Sequence, residues 1–265
     1  MIQHTPVDTF IVDGIKVFVK REDLFGAFPY PPLGKLRGLR KLLDKYYNEG
    51  SRLVGCWDTR VSKLGQGLAV MSRDYPGMQA IVAYPVKKKE PVPNAVEISK
   101  QFGAEIFEMR GNHVGICYAQ TTAYVKGKGG TMLPFGLECI ESVQEIAEEC
   151  KELNPIYFEG GTIILCCGSG VTLAGILAGL RHLPGKIIGI SSGRSVLKIR
   201  QCVERYAGAI PEYVEIKEAE LAYDKVPKLE CPFPAHPNYD LKAWKFLCEK
   251  VETLKQPILF WNIGA

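Results

Sequence analysis

Residues Thr162–Leu180 read TIILCCGSGVTLAGILAGL, and the reading of this stretch decides the fold class. Thr162–Cys167 has the character of a buried strand. Gly168-Ser169-Gly170 follows, and then a run with helical spacing. A strand that turns on glycines into a helix start aims backbone N–H groups at one spot, with the positive end of the helix dipole behind them. The segment is therefore a candidate anion cradle. Its small residues Ala174, Gly175, Ala178 and Gly179 predict a thin helix lying close against its own strand. A P-loop is excluded, because Ile176 and Leu177 stand where its lysine and hydroxyl belong. A dinucleotide fingerprint is excluded too: Leu173 takes its third glycine position, and the next strand, Lys186–Ser191, ends without a ribose-binding carboxylate. An ordinary turn whose glycines serve geometry alone remains open on this segment by itself.

The rest of the 265-residue chain repeats the alternation. Strands are expected at 15–19, 52–57, 79–84, 105–109, 186–191 and 258–261. Helices are expected from Lys35 onward and at 61–73, 94–102, 113–126, 138–153, 195–207 and 242–254. Residues 212–230 show little pattern. Strands alternating with helices through short loops predict an α/β fold with mainly parallel sheets. Hydrophobic residues make up 46% and charged residues 23%, as in a globular protein. No stretch reaches the length of a membrane span, and Asp8 and Asp13 speak against a signal peptide. Nine cysteines without paired metal spacing read as reduced thiols of a cytoplasmic protein, and the four scattered histidines offer no metal site. Residues 1–130 carry a balance of +7 and residues 131–265 one of −3, so the first half is the one suited to an anionic cofactor, substrate or polymer.

Several stretches in order resemble one family. Thr5-Pro6, Val19-Lys20-Arg21-Glu22-Asp23-Leu24, Gly34-Lys35-Leu36-Arg37, the helix near Ser62–Ala69, Gln101–Met109, the Gly168–Thr172 loop and Tyr239-Asp240-Leu241-Lys242 are similar to pyridoxal-phosphate enzymes of the tryptophan-synthase-β superfamily, fold type II. The branch they resemble holds the aminocyclopropane-carboxylate deaminases and D-cysteine desulfhydrases. The resemblance implies two open, mainly parallel α/β domains with pyridoxal 5′-phosphate in the cleft between them. It sets the large cofactor-binding domain at 1–48 with 135–265 and the smaller one at 49–134. It also implies a homodimer.

Carried over by position, Lys35 would hold the cofactor's aldehyde as a Schiff base and shuttle a proton. Gly168, Ser169, Gly170, Val171 and Thr172 would hold the phosphate. Asp240 would face the pyridine nitrogen, which favours carbanion chemistry such as deamination, racemisation or decarboxylation; a helix N-cap is its plainer role. Tyr239 would be an active-site phenol. Lys63, where relatives carry asparagine, would meet the ring oxygen, act as a second base, or point outward if the register shifts by one. Thr59, Arg60 and Ser62 lie where the family grips the substrate carboxylate, and Arg60 would suit a bidentate clamp. Taken alone, Lys35 and Arg60 are equally surface residues at helix starts.

The implied activity is a lyase or deaminase acting at Cα of an amino acid. Because the departures fall on the substrate side, and Lys87-Lys88-Lys89 adds positive charge, two alternatives stand beside it. One is a decarboxylase or elimination enzyme acting on an amino-acid-modified nucleic acid. The other is a pyridoxal-phosphate binder without catalysis.

Overall fold

The computed structural model describes residues 4–111 and 113–265. Among them the elements run β1 (Val7–Val12), β2 (Ile15–Arg21), α1 (Leu36–Asn48), β3 (Leu53–Trp57), α2 (Leu64–Ser72), β4 (Gln79–Val86), α3 (Asn94–Gln101), β5 (Glu105–Arg110) and α4 (Val114–Gly127). Then come β6 (Thr131–Met132), α5 (Ile140–Lys151), β7 (Thr162–Cys167), α6 (Val171–Gly179), β8 (Lys186–Ser191), α7 (Val196–Ala207), β9 (Val214–Glu218), α8 (Asp240–Lys250) and β10 (Ile258–Asn262). The fold is α/β with parallel sheets, as the alternation predicts.

Two units form. The first comprises Met1–Gly26, Pro32–Lys35 and Cys139–Ala265. Its six-stranded sheet runs β1-β2-β10-β7-β8-β9, parallel except for β1. β1 and β2 form a hairpin closed by Asp13 (φ +48°) and Gly14 (φ +77°), the left-handed pair that a two-residue turn matched to strand twist requires. β7 is buried on both faces. Ile163, Leu165 and Cys167 point into a cluster with residues of α5, α6 and α7, while Ile164 and Cys166 join Ala243, Trp244 and Leu247 of α8. The small residues of α6 serve a different contact from the one expected: Cβ atoms at Gly175 and Gly179 would run into Ile146 and Ala147 of α5. These glycines let two helices approach each other, because residues four apart share a helix face.

The second unit comprises Ala27–Pro31 and Leu36–Glu138, with a parallel sheet ordered β5-β4-β3-β6. Helix α1 belongs here because Leu36 and Leu39 pack on Gly67 of α2. Among the described residues no helix is long and apolar enough to cross a membrane. Among the described residues no disulfide forms between the nine cysteines.

Candidate active site

In the first unit the parallel strands β2, β10, β7 and β8 end at one edge of the sheet, where α/β folds bind ligands. The loop after β7 opens α6 through Gly170, whose φ of +100° only glycine adopts without strain. Any Cβ there would also meet the Ile199 carbonyl at 3.0 Å. Ser169 and Thr172 are buried. The Val171 N–H reaches Ser169 Oγ only at 3.4 Å, so local side chains cap this helix start weakly.

The chain approaches Lys35 along the tail of β10. Gly34 N–H donates to the Ile263 carbonyl at 2.9 Å, Ala265 N–H donates to the Pro32 carbonyl at 2.9 Å, and Leu33 bridges Gly264. Gly34 presses on Glu22, whose Cβ would lie 2.8 Å from a Cβ placed there. The Lys35 amine is held below its ordinary range, first by burial and then by the Arg194 guanidinium; Cys166 and Asp240 act in the opposite sense. Disfavouring the ammonium leaves more free amine at neutral pH, as a nucleophilic lysine needs. No hydrogen bond or ion pair among the described residues ties that amine down.

Asp240 is not an N-cap. Tyr239 takes that position, and Asp240 is the first residue of α8, buried, with Oδ1 accepting the Ile263 N–H at 2.9 Å. Ile263 thus braces both groups, its carbonyl on the Lys35 arm and its N–H on Asp240. Burial pushes the Asp240 carboxyl up to about 7, with Asp23 adding to the rise and the Ile263 N–H and the Lys35 charge opposing it. The Tyr239 ring lies against Gly168, 3.4 Å from where a Cβ would stand, and its hydroxyl pairs with that of Tyr223 at 2.8 Å. Tyr223 comes from the segment that sequence pattern left unplaced. It is held by its carbonyl, which accepts from Asn238 Nδ2 at 3.0 Å and from the buried Lys242 amine at 3.2 Å.

The charged run Lys20–Asp23 is scaffolding for this edge. Lys20 donates to Glu149 and to the Thr5 carbonyl, Arg21 grips Asp23 with two bonds of 2.9 and 2.8 Å, and Glu22 accepts from the Thr5 hydroxyl. Asn262 Nδ2, at the end of β10, donates to Asp23 at 2.9 Å. Buried charges need such partners to persist.

The remaining predicted residues lie in the second unit, on the turn from β3 to α2. Their oxygens serve that turn: Thr59 Oγ1 accepts the Ser62 N–H at 3.1 Å, Ser62 Oγ accepts the Leu64 N–H at 3.3 Å, and buried Asp58 accepts the Gly65 N–H at 2.6 Å. Arg60 binds Glu90 at 2.9 Å and the carbonyls of Pro85 (3.3 Å) and Pro91 (2.5 Å). Lys63 precedes α2, with its amine held low by burial.

The first unit thus gathers Lys35, the Gly168–Thr172 loop, Tyr239 and Asp240. The set suits pyridoxal 5′-phosphate: an amine for its aldehyde, a weakly capped helix start for its phosphate, a buried carboxyl for its ring nitrogen. Sequence reading missed Ile263, Tyr223, Asp58 and Arg194. Of these Arg194 carried a signal, a cation three residues past the end of a parallel strand.

No family model matches the chain. The "Glycyl-dTMP PLP-dependent decarboxylase" of Pseudomonas phage M6 is 30% identical over 280 residues, covering 100% of this chain and 99% of that protein. Among solved structures, an ACC deaminase homologue superposes with a TM-score of 0.80 at 20% identity, over 98% of this chain and 89% of the other. A hydrogen sulfide-producing enzyme of Fusobacterium nucleatum follows at 0.72 and 15% identity, over 98% and 93%. Threonine deaminase isoform 2 of Solanum lycopersicum gives 0.67 at 16% identity, over 100% and 79%.

Proposed function

The chain belongs to the fold-type-II pyridoxal-phosphate enzymes, in one family with the phage decarboxylase, and on that premise we propose that it decarboxylates an amino-acid unit carried on a thymidine nucleotide. The observation that carries this reading is the end-to-end likeness to that decarboxylase, which favours the nucleotide-linked substrate over a free amino acid. The deaminase-like structures are too distant in sequence to speak for more than the fold.

Bound here, pyridoxal 5′-phosphate supplies a conjugated ring that takes up the electron pair left on Cα when the carboxylate departs as CO2. The chain's own residues do the rest. Lys35 Nζ, with its ammonium disfavoured, would hold the cofactor's aldehyde and would be placed to deliver a proton at Cα. Asp240, buried in the first turn of α8 and fixed by the Ile263 N–H, would face the ring nitrogen and share a proton with it. The N–H groups opening α6 hold the phosphate. Tyr239, steadied by Tyr223, closes one side of the loop and excludes water there. A homodimer is part of the same proposal, checked by light scattering.

The test is incubation with glycyl-dTMP labelled in its carboxyl carbon. The expected products are labelled CO2 and a nucleotide that keeps its amine. Ammonia and a retained carboxylate would indicate deamination instead, and no turnover of the coloured protein would leave a cofactor binder without catalysis.

A further inference from the structure

Beyond its charge on the Lys35 amine, Arg194 stands beside the Gly168–Thr172 loop. Ser191 ends β8 opposite Cys167 at the end of β7, so the loops that follow leave the same sheet edge. They are tied together: Ser192 N–H donates to the Cys167 carbonyl at 3.0 Å, and Ser192 Oγ donates to the Asn238 carbonyl at 2.5 Å. Arg194 Nη1 donates to the Ser169 carbonyl at 3.4 Å, which sets the partly buried guanidinium beside the turn into α6. Gly170 packs directly on Ile199 and Cys202 of α7, the helix that starts two residues after Arg194. The guanidinium also lies within electrostatic reach of the Lys35 amine. The loop itself, Gly168-Ser169-Gly170-Val171-Thr172, contains no cation, and backbone N–H groups bring only partial charge to a dianion.

We propose that Arg194 is the phosphomonoester-recognising side chain of this site, supplying the full positive charge that the Gly168–Thr172 loop lacks. A planar guanidinium fork matches phosphate oxygens in geometry as well as charge. Two molecules of the proposed reaction carry such a group, the cofactor and the nucleotide, and the inference rests on that reaction being the right one.

The test compares wild type with Arg194→Gln. Binding of pyridoxal 5′-phosphate and of pyridoxal is followed by absorbance, and binding of dTMP and thymidine to the cofactor-loaded protein by calorimetry. The substitution should cost roughly ten- to a hundredfold in affinity for one phosphorylated ligand and under about twofold for its phosphate-free counterpart. Collapse of the preference for pyridoxal phosphate over pyridoxal assigns Arg194 to the cofactor; collapse of the preference for dTMP over thymidine assigns it to the nucleotide. Both preferences unchanged overturn the proposal. A second measurement needs no variant: inorganic phosphate should protect Arg194 of the cofactor-free wild type from phenylglyoxal, mapped by mass spectrometry, and equal labelling with and without phosphate would also overturn it. Failure here is distinct from failure of the parent reading, since release of labelled CO2 from glycyl-dTMP is scored separately in the wild type.

Discussion

Two turns in this molecule share a plan, and they end differently. In each unit a buried parallel strand passes through a short loop into a helix, from β7 to α6 and from β3 to α2. At the second turn the chain answers its own donors: Asp58, Thr59 and Ser62 accept the N–H groups of Gly65, Ser62 and Leu64. At the first turn the Val171 N–H finds Ser169 Oγ only at 3.4 Å, and a left-handed glycine turns the loop. A turn that caps itself is structure. A turn whose N–H groups are weakly met, at the carboxyl edge of a sheet and beside an arginine, suits an anion from outside, and the proposal places the phosphate there.

The comparison can be broken in four ways. The largest effect is expected from Asp240→Asn. A carboxyl pushed up to about 7 binds its proton more tightly folded than unfolded, so the cofactor-free wild type loses stability as pH rises from about 4 to about 7. The ceiling for that loss is about 4 kcal/mol. The variant should lack this slope, gaining on the wild type at pH 8 relative to pH 5 in urea melts; parallel slopes would remove the buried acid from the account. Next comes Asp58→Ala, which strands the Gly65 N–H and should cost about 1–3 kcal/mol while cofactor attachment at Lys35 stays intact. Loss of attachment would merge the two turns into one function. Gly170→Ala should cost about 1–2 kcal/mol in thermal melts from left-handed strain alone, and should also weaken cofactor binding. The smallest effect is Arg60→Ala: faster amide exchange around 85–91 with KM changed less than twofold. A tenfold rise in KM would make Arg60 the substrate clamp that its sequence position suggested.

What was legible follows the range of the interactions. The strand-turn-helix at 162–180 was readable because apolar runs and glycines act locally. The hairpin strand Val7–Val12 was missed although Asp13-Gly14 announces its turn, because the preceding run is short and mixed. β9, reading VEIKE at the sheet edge, lacks the apolar density of a central strand. Of the two roles open to Asp240, the N-cap fails by a single step, because Tyr239 caps α8 and Asp240 is its first residue. Lys35, Asp240 and the tail after β10 are remote in sequence and meet because β10 inserts between β2 and β7, an order that no local pattern encodes. Arg60 looked available because its partners lie some thirty residues downstream.

The central claim is that Lys35 receives the cofactor. Protein loaded with pyridoxal 5′-phosphate, reduced with borohydride and digested should carry the pyridoxyl mass on the peptide containing Lys35, with the visible absorbance lost in step. A label on Lys63 or any other lysine, or no label at all, would contradict it.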